Sequence, residues 1–174
     1  MLATRLLEKQ HRKVEAIFAK LEKRSGDVEE LLTELSNDLA AHMAIEQEIF
    51  YPAIQRIDHS LVLESYEEHA IAEVALKRLL SADTETDEFI ARVVTLKELI
   101  EHHVKEEEEE LFPKVKKALD EDRLGELGAQ MQKQFERVVK AGFESVVPRG
   151  YARTSSDVSK KALKKPQGGR KKAA

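Results

Sequence analysis

HMAIEQEIFYP at residues 42–52 and HVKEEEEELFP at residues 103–113 align without a gap, pairing His42 with His103, Glu46 with Glu107, Glu48 with Glu109, Tyr51 with Phe112 and Pro52 with Pro113. In each stretch the histidine and the first matched glutamate are four residues apart. On a helix of 3.6 residues per turn that spacing puts both on one face, one turn from each other. The same spacing recurs in His11-x-x-x-Glu15 and His69-x-x-x-Glu73. His11 lies 31 residues before His42, and His69 lies 34 before His103. The chain therefore reads as two helical hairpins of similar size related by an approximate two-fold.

Working outward, glycine and proline are confined to Gly26, Pro52 and Pro113 before residue 125, so the body consists of long helices. The pattern predicts helices over about 2–24, 28–57 and 61–80, separated at Ser25-Gly26-Asp27 and at Asp58-His59-Ser60, and a fourth that starts from N-caps offered somewhere along residues 83–87 and continues to about 119. A shorter fifth helix over about 123–143, loosened at its start by Gly125 and Gly128, is expected on the outside. The fold class is all-α, an up-down-up-down four-helix bundle over 1–120, with an accessory helix over 121–146 and a disordered basic tail over 147–174.

The apolar seams locate the chemistry. They run through Leu7, His11, Val14, Phe18 and Leu21; through Leu31, Leu35, Leu39, His42, Glu46 and Ile49; through Val62, Tyr66, His69, Glu73, Leu76 and Leu80; and through Phe89, Val93, Leu96, Ile100, His103, Glu107 and Leu111. Each helix carries one histidine in its core stripe. Three of the four carry a glutamate one turn further on. An unpaired carboxylate in a seam costs several kcal/mol or is forced neutral, and cation ligation removes that cost. Neutral imidazole with carboxylate suits iron, manganese or zinc, and a carboxylate can bridge two ions. Glu46 and Glu107 are accordingly expected to bridge, with His11, His42, His69 and His103 as terminal ligands, two to each ion. Glu73 is a further candidate, either as ligand or as acceptor for a ligand imidazole. Tyr66, one turn before His69, is a core tyrosine with a secondary candidacy as donor to a bound oxygen species. Glu15 and His102 are expected either at the surface or just behind the ligand histidines, and His59 is expected at the surface, as is the run Glu106 to Glu110 apart from Glu107.

Composition narrows the function. The 174 residues are 41% hydrophobic and 36% charged, and no apolar stretch approaches membrane-spanning length. Cysteine is absent, which excludes disulfides, thiolate metal sites and thiol nucleophiles. Residues 148–174 hold nine Lys/Arg and one Asp, so the first 147 residues carry a formal charge of −12. An acidic body of this kind repels nucleic acid and anionic membranes and gathers cations. No secretory signal pattern opens the chain, and a cytoplasmic protein is expected. The basic tail is expected to be a solvated end rather than a nucleic-acid contact.

At His42-x-x-x-Glu46 with Phe-Tyr-Pro and His103-x-x-x-Glu107 with Leu-Phe-Pro, the sequence resembles the hemerythrin family, in particular its bacterial HHE cation-binding branch, over roughly residues 2–120. The resemblance implies a carboxylate- and oxo-bridged pair of iron ions as cofactor, held by His11, His42, Glu46, His69, His103 and Glu107, that binds dioxygen, nitric oxide or peroxide. Oxygen-carrying members have a histidine where this chain has Glu73, and an aspartate five residues after the last-helix histidine, at Glu108 here. Those departures argue for redox chemistry over reversible carriage. The leading expectation is a di-iron protein that binds or consumes a small oxidant; the alternative is an iron- or oxygen-responsive sensor or iron-handling protein without turnover. Ferritin-like storage uses Glu-x-x-His pairs on two helices, and only Glu8-Lys-Gln-His11 fits that pattern.

Overall fold

The computed structural model describes residues 1–145, and the tail expected over 147–174 falls outside the described residues. The elements are α1 (Ala3–Glu22), α2 (Val28–Ile45), a π-helical turn (Glu46–Phe50), α3 (Tyr51–Ile54), α4 (His59–Leu80), α5 (Asp87–Glu106), a second π-helical turn (Glu107–Leu111), α6 (Phe112–Ala118) and α7 (Glu121–Ala141), ending in a 3₁₀ turn (Phe143–Ser145). No strand occurs among the described residues.

The helix starts follow from the caps. Asp27, Asp58, Thr86 and Asp120 each accept the backbone N–H three residues ahead, those of Glu30, Leu61, Phe89 and Arg123, satisfying donors the helix itself leaves orphaned. The Asp58 cap brings His59 inside α4 as its first residue, still exposed, rather than leaving it in the preceding turn. Gly26 supplies the positive φ of +107° that turns α1 into α2.

α1 lies against α2 and α5, and α4 against α5 and α2, closing the up-down-up-down bundle. α7 lies across α1 and α2. Its residues Leu124, Leu127 and Met131 share one apolar cluster with Leu6, Leu7, Tyr51 and Phe112, so the fifth helix belongs to the bundle's own core. Gly128 does not loosen that helix. A Cβ there would sit 2.1 Å from the Met1 carbonyl oxygen, so the glycine permits the N-terminus to close against α7.

The π-helical turns depart from uninterrupted second and fourth helices. In each, a backbone bond spans five residues, from Tyr51 N–H to Glu46 O and from Phe112 N–H to Glu107 O. Pro52 and Pro113 follow directly, and the wider turn ahead of each leaves room for a ring that would collide with the carbonyl four residues back in a regular helix. The extra residue per turn rotates everything downstream. After Glu46 the buried positions are Gln47, Phe50, Tyr51 and Ile54, and the expected seam residue Ile49 is only partly buried.

The core is divided by its polar layer. One apolar cluster contains Val14, Phe18, Leu39, Met43, Leu76 and Ile100. The other contains Leu7, Phe50, Tyr51, Tyr66, Leu111 and Phe112. His11, His42, Glu46, His69, His103 and Glu107 occupy the layer between them, all buried.

Candidate metal centre

Each of the four bundle helices delivers one histidine to this layer, and the four Nε2 atoms converge. His11 and His42 approach to 3.2 Å between Nε2 atoms, and His69 and His103 to 3.1 Å. The Glu46 carboxylate lies between the pairs, with Oε2 at 3.2 Å from His42 Nε2 and 3.3 Å from His69 Nε2. Glu107 Oε2 lies opposite, 3.4 Å from His11 Nε2 and 3.8 Å from His103 Nε2. Two donor clusters result, His11 with His42, Glu46 and Glu107, and His69 with His103 and Glu46; within each, the donor atoms lie within 4.8 Å of one another. Glu46 belongs to both.

The opposite face of each ring is anchored by a group on another helix. His11 Nδ1 donates to Glu108 Oε1 at 2.7 Å, His42 Nδ1 to Gln10 Oε1 at 2.8 Å, and His103 Nδ1 to Glu68 Oε2 at 2.7 Å. Placing the proton on Nδ1 leaves the Nε2 of the neutral ring with its lone pair aimed at the centre. His69 Nδ1 faces the Gln47 side-chain amide at 3.1 Å. A half-turn of that amide presents Oε1, a buried atom with no hydrogen bond, as the acceptor.

Electrostatics support the same reading of the donor set. Glu46 is fully buried, and neither carboxylate oxygen receives a hydrogen bond. Burial first, and the Glu107 charge second, push its carboxyl well above the ordinary range. Burial also pushes Glu107 up, but the His103, His11 and His69 rings outweigh it and hold that carboxyl at about 2. Burial lowers His42, reinforced by His11 and His103. Burial works to lower His103 as well, yet Glu107 and Glu68 overcome it and raise that ring. Orphaned carboxylate oxygens, converging imidazole lone pairs and the absence of sulfur fit first-row divalent or trivalent metal ions.

Tyr51 is a site residue absent from the sequence expectations. Its hydroxyl donates to Glu107 Oε1 at 2.9 Å and lies 3.4 Å from His69 Nε2 and 3.5 Å from His103 Nε2. Burial, reinforced by Glu107 and Glu46, raises its hydroxyl well above the usual tyrosine range. Tyr66 instead donates to the Gln47 carbonyl at 3.1 Å, a core role, and burial raises it to about 12. Phe112, aligned with Tyr51 in the repeat, lacks the hydroxyl and stacks on the His11 ring at 6.1 Å between centroids.

The remaining candidates separate cleanly. Glu73 is buried but belongs to neither donor cluster. Glu15 pairs with Arg12 at the surface. Glu108, expected on a solvated face, is drawn inward by His11 and also pairs with Arg12. Of the four groups facing the rings, Gln10, Gln47 and Glu68 had no sequence signal beyond their helical positions, because each acts on a histidine of another helix; Glu108 was marked only as the position where oxygen-carrying members have an aspartate.

A profile of the hemerythrin HHE cation-binding domain matches residues 2–115. The chain belongs to that family. A solved HHE cation-binding domain-containing protein from Mycobacterium kansasii shares the fold, with a TM-score of 0.72 at 24% identity over 81% of this chain and 89% of that one. A DNA nickase from Nostoc sp. is 26% identical over 116 residues, a match that covers 65% of this HHE chain but only 33% of the nickase. The chain therefore spans about a third of that relative, whose nicking activity belongs to that protein. No described helix of the HHE chain is long and apolar enough to cross a membrane.

Proposed function

We propose that this HHE protein is a non-haem di-iron protein that binds or reacts with a small oxidant such as dioxygen, peroxide or nitric oxide. His11, His42, Glu46, His69, His103 and Glu107 would hold the two iron ions, with Glu46 shared between them. The observation that carries the reading is the convergence of four Nε2 atoms on a buried Glu46 carboxylate that no hydrogen-bond donor satisfies. When bound, the iron pair supplies electrons and Lewis acidity to a small ligand.

The chain's own residues set the conditions around it. Val14, Leu39, Met43, Ile100 and Val104 line a cavity of about 10 Å³ beside the four histidines, room for about one water-sized molecule. That size favours a diatomic ligand or hydrogen peroxide over a bulky hydroperoxide. Tyr51 holds a proton within reach of Glu107 and two of the rings. The domain reading that accompanies this proposal is a binding unit over 1–120, with 121–146 as a buttress and 147–174 as an appended basic segment. The likeness to a nickase does not redirect the proposal, because a body of −12 over residues 1–147 opposes nucleic acid.

Protein purified from iron-supplied cells is expected to hold about two irons per chain with ferric carboxylate-type visible absorption, both lost in His42→Ala and in Glu107→Ala. Turnover of added peroxide or nitric oxide then selects consumption, and metal-dependent stability without turnover selects the sensor. Absence of stoichiometric metal, with both variants folded as the parent, refutes the proposal.

A further inference from the structure

Outside the buried layer, a second group of donors stands on the rim where α4 meets α5. His102 Nε2 lies 3.4 Å from Glu106 Oε1, one turn along α5, and 3.6 Å from Glu68 Oε1 on α4. The three donor atoms lie within 4.8 Å of one another. The His102 side chain is 64% exposed, while the Glu68 and Glu106 side chains are 19% and 25% exposed, so the two carboxylates form a shallow floor beneath an accessible ring. Among the described residues neither carboxylate is paired with a lysine or arginine; their only ion-pair partners are His102 and, for Glu68, the buried His103.

Glu68 is the independent observation. Its Oε2 is committed to His103 Nδ1 at 2.7 Å, inside the bundle. That bond fixes the carboxylate plane and leaves Oε1 facing His102, so one donor of the rim group is pre-positioned by the core rather than free to swing in solvent. Two carboxylate oxygens and one imidazole nitrogen, with the outer side open to water, make a donor set for a six-coordinate divalent first-row cation, completed by water. Zinc in a closed tetrahedral site would need a fourth protein donor or a water.

We propose that Glu68, His102 and Glu106 form an exposed site for a divalent first-row cation, distinct from the buried layer and joined to it through the Glu68 carboxylate. Its affinity is limited by having three protein donors, with the rest of the shell left to water and the exposed His102 ring to be ordered. The site does not depend on the proposed di-iron reading, since none of its donors belongs to the buried layer.

The test uses the full chain with Mn²⁺ alone as probe, following free Mn²⁺ by electron paramagnetic resonance, with tightly held metal counted beforehand. The parent is expected to bind one exchangeable Mn²⁺. His102→Ala combined with Glu106→Gln should weaken that binding by more than about tenfold without altering the tightly held metal. His11→Ala combined with His42→Ala should do the reverse, removing tightly held metal while the exchangeable ion remains. An exchangeable ion bound as tightly by the His102/Glu106 variant as by the parent overturns the proposal. If no tightly held metal is found but exchangeable binding still depends on His102, the di-iron reading fails and the rim site stands. A second measurement needs no variant: substoichiometric Mn²⁺ should broaden the His102 imidazole proton resonances well before those of the exposed His59, and equal broadening of both overturns the site.

Discussion

Replacing Tyr51 with phenylalanine removes one oxygen atom from the interior and almost no volume. That atom donates the hydrogen bond to Glu107 Oε1 at 2.9 Å, and the other Glu107 oxygen already has no donor. Glu107 is held ionised in the metal-free chain, at about 2, so the lost bond is one to a charged acceptor, a class that contributes about 1.5–3 kcal/mol. The metal-free Tyr51→Phe chain should therefore be less stable by about 2 kcal/mol, a fall in melting temperature of about 6 °C for a bundle of this size. Tyr66→Phe is the internal control. It deletes a bond to a neutral carbonyl and should cost about 1 kcal/mol. Urea unfolding of chelator-treated protein reads both values, and an unchanged denaturant slope would show that the unfolded ensemble is the same. A loss under about 0.5 kcal/mol for Tyr51→Phe, or a larger loss for Tyr66→Phe, would refute the placement of Tyr51 against an ionised Glu107.

Other perturbations probe the same layer. Glu46→Leu should stabilise the metal-free bundle by about 1–3 kcal/mol, since it removes an unsatisfied buried carboxyl, while abolishing tight metal binding; a destabilised metal-free variant would mean that Glu46 has partners the geometry does not reveal. Metal affinity should rise with pH around and above 6.5, because Glu46 and His103 both have raised affinity for protons that loading must displace; the sign is read from metal titrations across that window with indicator dye for released protons, and a flat profile contradicts it. Gly128→Ala should cost about 1–3 kcal/mol by forcing the Met1 carbonyl off α7, with little change in metal content; undiminished thermal stability would show that the N-terminus yields without penalty. Loading at a hundred times Kd should raise stability by about 2.7 kcal/mol, and calorimetry of loaded and stripped chain would expose its absence.

The four histidines and two glutamates that meet in the layer could be read from sequence because charge in an apolar seam is conspicuous and helical spacing is rigid. His102 could be placed at the surface for the same reason, lying off the seam. The π-helical turns could not. One extra residue per turn changes no composition, and its only sequence trace is Pro52 and Pro113, each six residues after a seam glutamate. Continuing the regular spacing past Glu46 leads to Ile49 and rotates Tyr51 out of consideration, whereas Tyr66 was considered because it lies one turn before His69. The contacts of Gln10, Gln47, Glu68 and Glu108 with the rings were illegible for a different reason. Each faces a ring on another helix, and that pairing depends on how the helices lie side by side, which periodicity within one helix does not encode.

The two hairpins repeat in backbone, down to the widened turn and its proline, but Tyr51 and Phe112 differ at the matched position. The His69/His103 half of the layer thus has a hydroxyl beside it, and the His11 half a bare stacked ring. Two ions placed in the two halves would be distinguishable, and a Mössbauer spectrum of the loaded protein would resolve two environments where a true dimer of hairpins would give one.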